Sequence, residues 1–257
     1  MDILRKELNA IYAAQHLETE MLATAYVDAA KRMAEAVVSV SNGCAVITDA
    51  SCDRCYVYPG MFGHIMGFSD DGRGMMDFDS SDEDVIYNLI HPEDLVDKRF
   101  LEYEFFRLAD SLAYNAKLEC KAACRLRMLD PQGNYRLIDN STQVIGLSPG
   151  GKIWLILCLY DFSPYRHTPA GIEPAIMDTR TGTVETLSFD TKREHVLSER
   201  EKEVLTLIRD GRPSKQIADA LGISIHTVNR HRQNIIAKLS VGNSIEAVTA
   251  ATAMKLL

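Results

Sequence analysis

The sequence predicts an α+β protein: an N-terminal antiparallel sheet with helices, followed by an all-α C-terminal domain of four helices. Two patterns support this fold class. Over residues 42–163, short apolar runs and helical segments follow one another as two strands, helices and three strands. Over residues 196–257, apolar residues recur at spacings of three and four, and residues that cap helices precede each apolar run.

Charge divides the chain near the same boundary. Residues 192–257 carry 11 Lys and Arg against 7 Asp and Glu, whereas residues 1–191 carry 17 against 29. A basic C-terminal part favours a polyanionic partner, and an acidic N-terminal part does not. Because 46% of the 257 residues are hydrophobic, both parts can bury a core.

Residues 1–41 are predicted to form a single helix, because neither Pro nor Gly occurs before Gly43. Apolar side chains recur at helical spacing at Leu4, Leu8, Ile11, Leu22, Tyr26, Met33 and Val37. An apolar stripe of this length requires a covering partner. It either packs on the sheet of its own domain or pairs with a second copy of the chain, and the sequence leaves both alternatives open.

The sequence has neither the pattern of a secretion signal nor that of a membrane span. Charged residues interrupt Met1–Glu7 before any apolar core, and the longest apolar run, Ile153–Tyr160, is too short to cross a bilayer. We therefore expect a cytoplasmic protein that does not contact membranes and whose six cysteines are reduced.

The segment 42–163 contains five predicted strands. They are Cys44–Thr48, Cys52–Tyr58, Lys117–Met128, Tyr135–Ile145 and Lys152–Phe162, and the helical segments before the third strand are Gly60–Phe68, Glu83–Ile90 and Leu95–Asn115. The third strand alternates apolar and polar side chains, which predicts one buried face. The fifth strand is apolar on both faces, which predicts a position in the middle of the sheet.

This order of elements resembles that of a PAS domain. The residues that carry the resemblance are Gly63, Gly67, the His91–Asp94 segment, the Asp130–Gly133 turn and Asp161. The resemblance implies a domain that senses a ligand or a protein partner, with its last strand at the centre of the sheet. It also implies that the outer face of the sheet needs cover, for which the helix 1–41 is the natural candidate.

Residues 164–195 are predicted to be a linker. The residues that favour extended chain there are Pro164, Pro169, Gly171 and Pro174. Within the linker, residues 175–178 and 183–189 are predicted to form a small hairpin around the turn Thr179–Gly182, to which the sequence assigns no role.

Each of the four predicted C-terminal helices begins near a residue that can cap it. Ser198, with Glu201 three positions later, has the pattern of a capping box. Ser214, Ser224 and Asn243 precede the other three apolar runs, and Gly211 and Gly222 end the first and second helices. Two short helices joined by a tight glycine turn are typical of a helix-turn-helix.

The third C-terminal helix, Ser224–Leu239, carries cations and amides but no acid. Its polar residues include His226, Thr227, Asn229, Arg230, His231, Arg232, Gln233 and Lys238. Cations and hydroxyls suit phosphate oxygens, whereas Asn, Gln and Arg can pair with base edges in the major groove. A solvated helix face is the alternative, but an acid-free face directly after a helix-Gly-helix unit favours binding to double-stranded DNA.

The stretch Val196–Val248 resembles the DNA-binding domain of LuxR/FixJ-type transcription regulators. The matching residues are Leu197, Ser198, Arg200, Glu201, Glu203, Val204, Leu205, Gly211, Ser214, Lys215, Ile217, Ala218, Leu221, Ser224, Thr227, Val228, His231, Ile235, Lys238, Leu239 and Asn243. They cover about a quarter of the chain. The resemblance implies a four-helix domain at 196–257 whose third helix enters the major groove of DNA.

The resemblance also implies roles for individual residues. Asn229, Arg230 and Gln233 would face bases, and the residues that would hold phosphates are Lys215, Thr227, Arg232 and Lys238. Ser224 and Val228 complete the predicted DNA-binding set. In the fourth helix, Ile245 and Val248 would lie near a contact between two subunits.

Several residues that can carry chemistry have simpler structural interpretations. Cys52-x-x-Cys55 and Cys120-x-x-x-Cys124 have spacings found in zinc sites, but we interpret the second pair as core residues on the apolar face of a strand. For His64 and His91, a packed histidine and a helix-start residue are preferred over haem ligands. The acidic residues between Asp70 and Asp84 are interpreted as a solvated loop.

We therefore expect no metal and no cofactor, and the sequence leaves any ligand of the PAS-like domain unidentified. Because no catalytic motif is present, an enzyme is not expected. The predicted function is a sequence-specific transcription regulator that acts as a homodimer, binds double-stranded DNA, contacts RNA polymerase and senses a small-molecule signal or a partner. The alternative is a protein-interaction adaptor with only supporting affinity for DNA.

Overall fold

The N-terminal unit is built on one antiparallel sheet, of which the structure describes eight strands. The strands are β1 (Cys44–Asp49), β2 (Arg54–Tyr58), β3 (Met76–Phe78), β4 (Cys120–Leu129), β5 (Tyr135–Leu147), β6 (Ile153–Phe162), β7 (Ala175–Asp178) and β8 (Val184–Thr186). Their order is β3-β2-β1-β6-β5-β4-β7-β8, and every described pairing is antiparallel. The sheet and its helices confirm the predicted α+β fold class.

The structure is a computed structural model that describes residues 10–81, 83–165, 169, 171–189, 196–239, 241–253 and 256–257. One compact unit spans Leu8–Leu187, and the other contains Ser188–Leu257. The helices of the first unit are α1 (Thr24–Ser41), α2 (Gly60–Ile65), α3 (Asp84–Tyr87), α4 (Pro92–Ser111) and α5 (Tyr114–Leu118). Those of the second are α6 (Glu199–Arg209), α7 (Ser214–Leu221), α8 (Ile225–Leu239) and α9 (Ser244–Ala253).

The pattern of burial confirms the predictions for two strands. β6 lies between β1 and β5, and its residues 153–158 are buried on both faces of the sheet. β4 buries every second residue, namely Cys120, Ala122, Cys124, Leu126 and Met128. The main core of the unit therefore lies on both faces of the central strand. Among the described helices, none has the length and apolarity needed to cross a membrane.

The prediction of one continuous N-terminal helix is wrong for the described residues. The chain is helical over 10–13, forms a 3-10 turn at Leu17–Thr19 and begins α1 only at Thr24, and residues 1–9 lie outside the described part. The buried Gln15 side chain accepts a hydrogen bond from the Ile153 N–H (3.0 Å) and donates one to Asp110 (3.2 Å). These tertiary bonds hold the turn in place, and helical spacing gives no sign of them.

α1 covers the sheet with a different face from the one predicted. Ala30 and Ala34 are buried against a cluster that includes Ile47 and Trp154, whereas Tyr26 is 65% exposed and Met33 is 38% exposed. Alanine allows the helix backbone to approach the sheet closely, so the small residues form the contact. The sequence left open whether this helix packs on its own sheet or pairs with a second copy, and the structure shows that it packs on its own sheet.

The helix predicted over Leu95–Asn115 is shifted in the structure. α4 begins at Pro92, because His91 caps it: the His91 Nδ1 accepts a hydrogen bond from the Glu93 N–H (3.3 Å). α4 ends at Ser111, and α5 is a separate short helix. The predicted start of the third strand at Lys117 is therefore wrong, since Lys117 belongs to α5 and β4 begins at Cys120.

The interpretation of the acidic stretch as a solvated loop is wrong for Met76–Phe78, for Glu83, which is only 2% exposed, and for Asp84, which begins α3. Met76–Phe78 forms β3 and pairs with β2. Arg54 on β2 forms ion pairs with Asp77 (3.5 Å) and Asp79 (2.7 Å), so this cation holds the acidic segment at the edge of the sheet. Asp82 lies outside the described residues.

The linker prediction for residues 164–195 is wrong over 175–186. β7 and β8 form the predicted hairpin, with Met177 opposite Val184, but β7 also pairs with β4. The backbone N–H and C=O groups along the outer edge of β4 pair with β7 and would otherwise lack strand partners. The sheet of the N-terminal unit therefore extends to Thr186 instead of ending at the predicted boundary of 163.

Candidate nucleic-acid interface

A tight turn joins α7 to α8. Gly222 ends α7 with a left-handed φ of 64°, and the Ile223 N–H then bonds to the carbonyl of Ala218 (3.0 Å). Ser224 begins the next helix, because its hydroxyl accepts a hydrogen bond from the Thr227 N–H (3.0 Å). The predicted helix-turn-helix is present with the predicted glycine and serine in these positions.

Apolar residues from all four helices hold α8 in place. The residues of this core include Val204, Leu205, Ile217, Ala218, Val228, Ile235, Leu239, Ala247 and Ala251, all of which are buried. Ser198 and Glu201 form the predicted capping box at the start of α6. Val228 has 0% of its surface exposed. Its buried side chain fixes α8 on the bundle, and its inclusion in the predicted DNA-binding set stays a prediction.

One exposed face of α8 brings together the residues predicted to read bases. His226, Asn229, Arg230 and Gln233 are all exposed, and their spacing of three, four and seven residues places them on one side of the helix. The Ser214 hydroxyl on α7 donates a hydrogen bond to the Asn229 Oδ1 (3.2 Å). The face presents amide and guanidinium groups, which are the groups that pair with base edges.

Arg232 lies beside this face and connects three helices. Its Nη1 donates to the Ser214 Oγ (3.0 Å) and its Nε donates to the Ser244 Oγ (3.1 Å). The sequence predicts that Ser214 caps α7, but the cap position is occupied by Pro213, which has no side-chain cap bond. The Ser214 hydroxyl instead bonds to two residues of α8, Asn229 and Arg232. Sequence patterns gave no signal for this role, because both partners lie on another helix.

Lys238 has a partner inside the domain. Its Nζ donates to the Glu201 Oε2 (2.6 Å), and the Glu201 side chain is only 4% exposed. Burial alone would raise the pKa of Glu201, but the Lys238 ammonium and the Ser198 N–H together hold that pKa below its ordinary value. The implied phosphate contact of Lys238 stays a prediction, and its visible contact stabilises the bundle.

Other cations of the domain differ in their surroundings. Lys215 is exposed at the start of α7, as its predicted phosphate contact requires. Arg200 belongs to the residues that carry the LuxR/FixJ resemblance, but the resemblance implies no role for it. Its guanidinium donates a hydrogen bond to the Leu221 carbonyl (2.6 Å) and so joins α6 to the end of α7. In α9, Ile245 is 78% exposed and Val248 is half-buried.

The N-terminal unit holds a cluster of charged groups inside its fold. The Lys98 Nζ is 2.8 Å from the Glu102 Oε1 and 3.1 Å from the Asn140 Oδ1, and the Tyr87 hydroxyl donates to the same Glu102 oxygen (2.6 Å). Burial acts against both charges, but their mutual attraction raises the pKa of Lys98 and lowers that of Glu102. The pair is therefore ionised, although Lys98 is only 1% exposed.

The cysteines and histidines with spacings typical of metal or haem sites differ in their burial and contacts. Cys52 is exposed and Cys55 is buried, whereas Cys120 and Cys124 are both buried on β4. Burial raises the pKa of Cys124 to about 12, so its thiol stays protonated. The His64 Nδ1 lies 2.6 Å from the Asp70 carbonyl oxygen, but His64 is exposed, so its interpretation as a packed histidine is wrong.

His91, Glu93 and Asp94 bring three potential metal ligands within 4.8 Å of one another. Arg127 already forms ion pairs with both carboxylates: its Nη2 is 2.8 Å from Glu93 and its Nε is 3.0 Å from Asp94. The cluster therefore joins α4 to β4 through a cation supplied by the chain, and this interaction accounts for its geometry.

Residues 195–251 match the family described as bacterial regulatory proteins, luxR family. The C-terminal unit therefore carries a luxR-family helix-turn-helix domain, as the resemblance implied. Similar curated proteins include the uncharacterized response regulatory protein YgeK of Escherichia coli (strain K12), which is 41% identical over 70 residues. The transcriptional activator protein CarR of Pectobacterium carotovorum subsp. carotovorum is 45% identical over 67 residues.

These two matches cover only part of the chain and of each relative. The match to YgeK covers 27% of this chain and 48% of that protein, and the match to CarR covers 26% and 28%. The chain thus spans about half of the first relative and less than a third of the second. Among solved structures, the crystal structure of the phage VqmA-DPO complex aligns over 90% of this chain and 93% of that one, with 18% identity and a TM-score of 0.29.

Proposed function

We propose that the protein is a sequence-specific DNA-binding transcription regulator. The observation that carries this proposal is the exposed, acid-free face of α8, where Asn229, Arg230 and Gln233 lie together in a luxR-family domain. Arg pairs with guanine, and Asn or Gln pairs with adenine, through two hydrogen bonds each in the major groove. Lys215 is exposed and Thr227 is half-buried, and we infer that both hold phosphates.

The proposal includes a second copy of the chain. One short helix contacts few base pairs, so a dimer that binds two half-sites about 10 base pairs apart gains specificity. The exposed Ile245 on α9 supports a subunit contact in the C-terminal unit. Contact with RNA polymerase and a cytoplasmic location complete the proposed role of a transcription regulator.

The N-terminal unit is proposed to be a PAS-like sensor. The strands β2-β1-β6-β5-β4 are adjacent in that order, helices separate β2 from β4 along the chain, and β6 is central with both faces covered. A domain of this type would sense a ligand or partner and alter how the DNA-binding units are held.

Binding of the full-length protein to fragmented genomic DNA across a salt series tests the proposal. We expect a few fragments to be retained at physiological salt, and the Asn229→Ala/Arg230→Ala variant to lose them by tenfold or more, since each paired base contact contributes about 1–3 kcal/mol. Arg180→Ala, which removes an exposed cation from the other unit, is the matched control. Equal retention of all fragments by the wild type would favour the adaptor alternative.

A further inference from the structure

A chain of hydrogen bonds ends on one residue of the exposed face of α8. The Arg232 Nη1 donates to the Ser214 Oγ (3.0 Å), and the Ser214 hydroxyl donates to the Asn229 Oδ1 (3.2 Å). Ser214 is the first residue of α7, whereas the other two side chains belong to α8. A serine of the neighbouring helix therefore connects two side chains of α8.

The guanidinium group sets the direction of this chain. Arginine has donors but no acceptor, so in this contact the Ser214 oxygen accepts from Arg232. The hydroxyl proton is then free for a second partner, which is the Asn229 carbonyl oxygen. If the amide were reversed, its NH2 group would meet an oxygen that already accepts one bond, and the hydroxyl proton would lose its acceptor. Successive bonds in one direction also strengthen one another.

The donor at the start of the chain is itself held in place. The Arg232 Nε donates to the Ser244 Oγ (3.1 Å), and Ser244, the first residue of α9, is only 8% exposed. Arg232 and Ser214 are half-buried, whereas Asn229 is exposed. The bonds therefore lead from the interior of the bundle to the surface that we propose faces DNA.

The bond to Ser214 occupies the acceptor side of the Asn229 amide. An unconstrained asparagine pairs with adenine, because its oxygen accepts from the adenine N6 amino group while its nitrogen donates to N7. The Asn229 Oδ1 is instead bonded to α7, and the Nδ2 lies on the other branch of the amide. Within the part of the chain that the structure describes, this Nδ2 has no hydrogen-bond partner. The group that Asn229 offers to a base is therefore a donor.

We propose that Ser214 is a positioning residue that makes Asn229 favour guanine over adenine. Guanine presents two acceptors, N7 and O6, at its major-groove edge, whereas adenine presents N7 beside the N6 amino donor. An NH2 group can donate to the first pattern, but the second pattern sets two donors against each other. This inference rests on the proposed DNA-binding function and identifies the kind of base that one residue selects.

Selection of bound duplexes from a random DNA library by the full-length protein tests the base preference. Asn229→Ala first identifies the base pair that Asn229 contacts, as the position whose preference disappears. At that position, we expect the wild type to favour a G·C pair over an A·T pair by at least about fivefold. Preference for A·T in the wild type, or no position that depends on Asn229, overturns the proposal.

Two variants of Ser214 separate positioning from folding. Ser214→Ala frees the Asn229 oxygen for adenine, so the ratio of G·C to A·T at that position should fall at least about threefold. Ser214→Thr keeps the hydroxyl and should keep the ratio within about twofold. A loss of stability would weaken binding to all duplexes alike and would not change this ratio. An unchanged ratio in Ser214→Ala, or an equal fall in Ser214→Thr, overturns the positioning role.

Ser244→Ala is the matched control. It removes the other serine that bonds to Arg232, but it leaves the bond between Ser214 and Asn229. The ratio at the Asn229 position should therefore stay within about twofold of the wild-type value. A change as large as that in Ser214→Ala would assign the effect to Arg232 and overturn the inference.

Failure of this inference and failure of the proposed function give different results. An enriched sequence whose base preferences do not depend on Ser214 sinks the positioning role but leaves the regulator. Enrichment of no sequence by the wild type removes the proposed function, and the base preference with it.

Discussion

The two units of the protein place their charges in opposite ways. The N-terminal unit buries Lys98, Arg99, Glu83 and Glu102 within its fold, whereas the C-terminal unit exposes Arg230 and the amides beside it. In the first unit each charge depends on a fixed partner, because water is excluded. In the second, an exposed cation can exchange water for a phosphate or base at little cost. The comparison teaches that burial and net charge together indicate what kind of partner a surface can accept.

Loss of one buried carboxylate should have the largest effect on this comparison. Glu102→Gln removes the counter-charge of Lys98, and we expect the N-terminal unit to lose about 3–5 kcal/mol of unfolding free energy. Trp154 is the single tryptophan of the chain and is buried in this unit, so its fluorescence in urea reports the loss. Glu104→Gln removes a carboxylate paired with the exposed Arg107 and should cost less than about 1 kcal/mol. Equal losses would show that the cluster is not a coupled buried pair.

A smaller effect is expected at the turn that presents the exposed face. Gly222 has a left-handed φ of 64°, which an L residue adopts at a cost of about 1–2 kcal/mol. Gly222→Ala should therefore destabilise the C-terminal unit by this amount and accelerate hydrogen exchange of the α8 amides. Gly242→Ala is the control, since the contact that its added Cβ would make is with the flexible Glu246 side chain. An unchanged exchange rate in the first variant would contradict the turn geometry.

Acid should weaken the C-terminal unit through Glu201. The pKa of this carboxyl is lowered in the folded state, so the ionised group adds to the free energy of unfolding. That contribution is complete above the unfolded pKa of about 4.3 and is lost as the pH falls through the lower folded pKa. Urea titrations at several pH values, followed through amides of α6 and α8, measure this loss. In Glu201→Gln, the unfolding free energy should change less with pH below pH ~4.3 than in the wild type. In Glu203→Gln, it should change with pH as it does in the wild type. A steep acid loss in Glu201→Gln would assign the effect to another group.

The smallest expected effect separates the two kinds of cation within the C-terminal unit. Lys215→Gln should reduce the slope of log affinity against log salt by about 0.9, the value for one phosphate contact. Lys238→Gln should leave the slope unchanged and lower the stability of the unit, because Lys238 pairs with the buried Glu201. The reverse result would support the phosphate contact that the family resemblance implies for Lys238 and would contradict the one predicted for Lys215.

Local sequence signals predicted the helix-turn-helix well. Ser198, Ser224, Gly222 and Asn243 act within a few residues of their own positions, so their capping and turn roles do not depend on the rest of the fold. The alternation of β4 and the doubly apolar β6 were predictable for the same reason, because burial repeats with the period of the strand.

Contacts between distant segments were beyond the reach of these signals. Gln15 fixes a turn by bonding to Ile153, and Arg232 and Lys238 bond to Ser214 and Glu201, which are distant in sequence. Val228 fits the family motif, but the packing of the bundle decides that it is buried.

The sequence by itself determined the class of each unit, the start and end of the C-terminal helices and the composition of the α8 face. The tertiary structure alone decided which charges are buried, which alanines of α1 meet the sheet and which side chain bonds to Asn229. The physical reason is that caps, turns and periodicity are set over a few residues. Burial, ion pairing and hydrogen bonds between helices instead depend on segments that only the folded chain brings together.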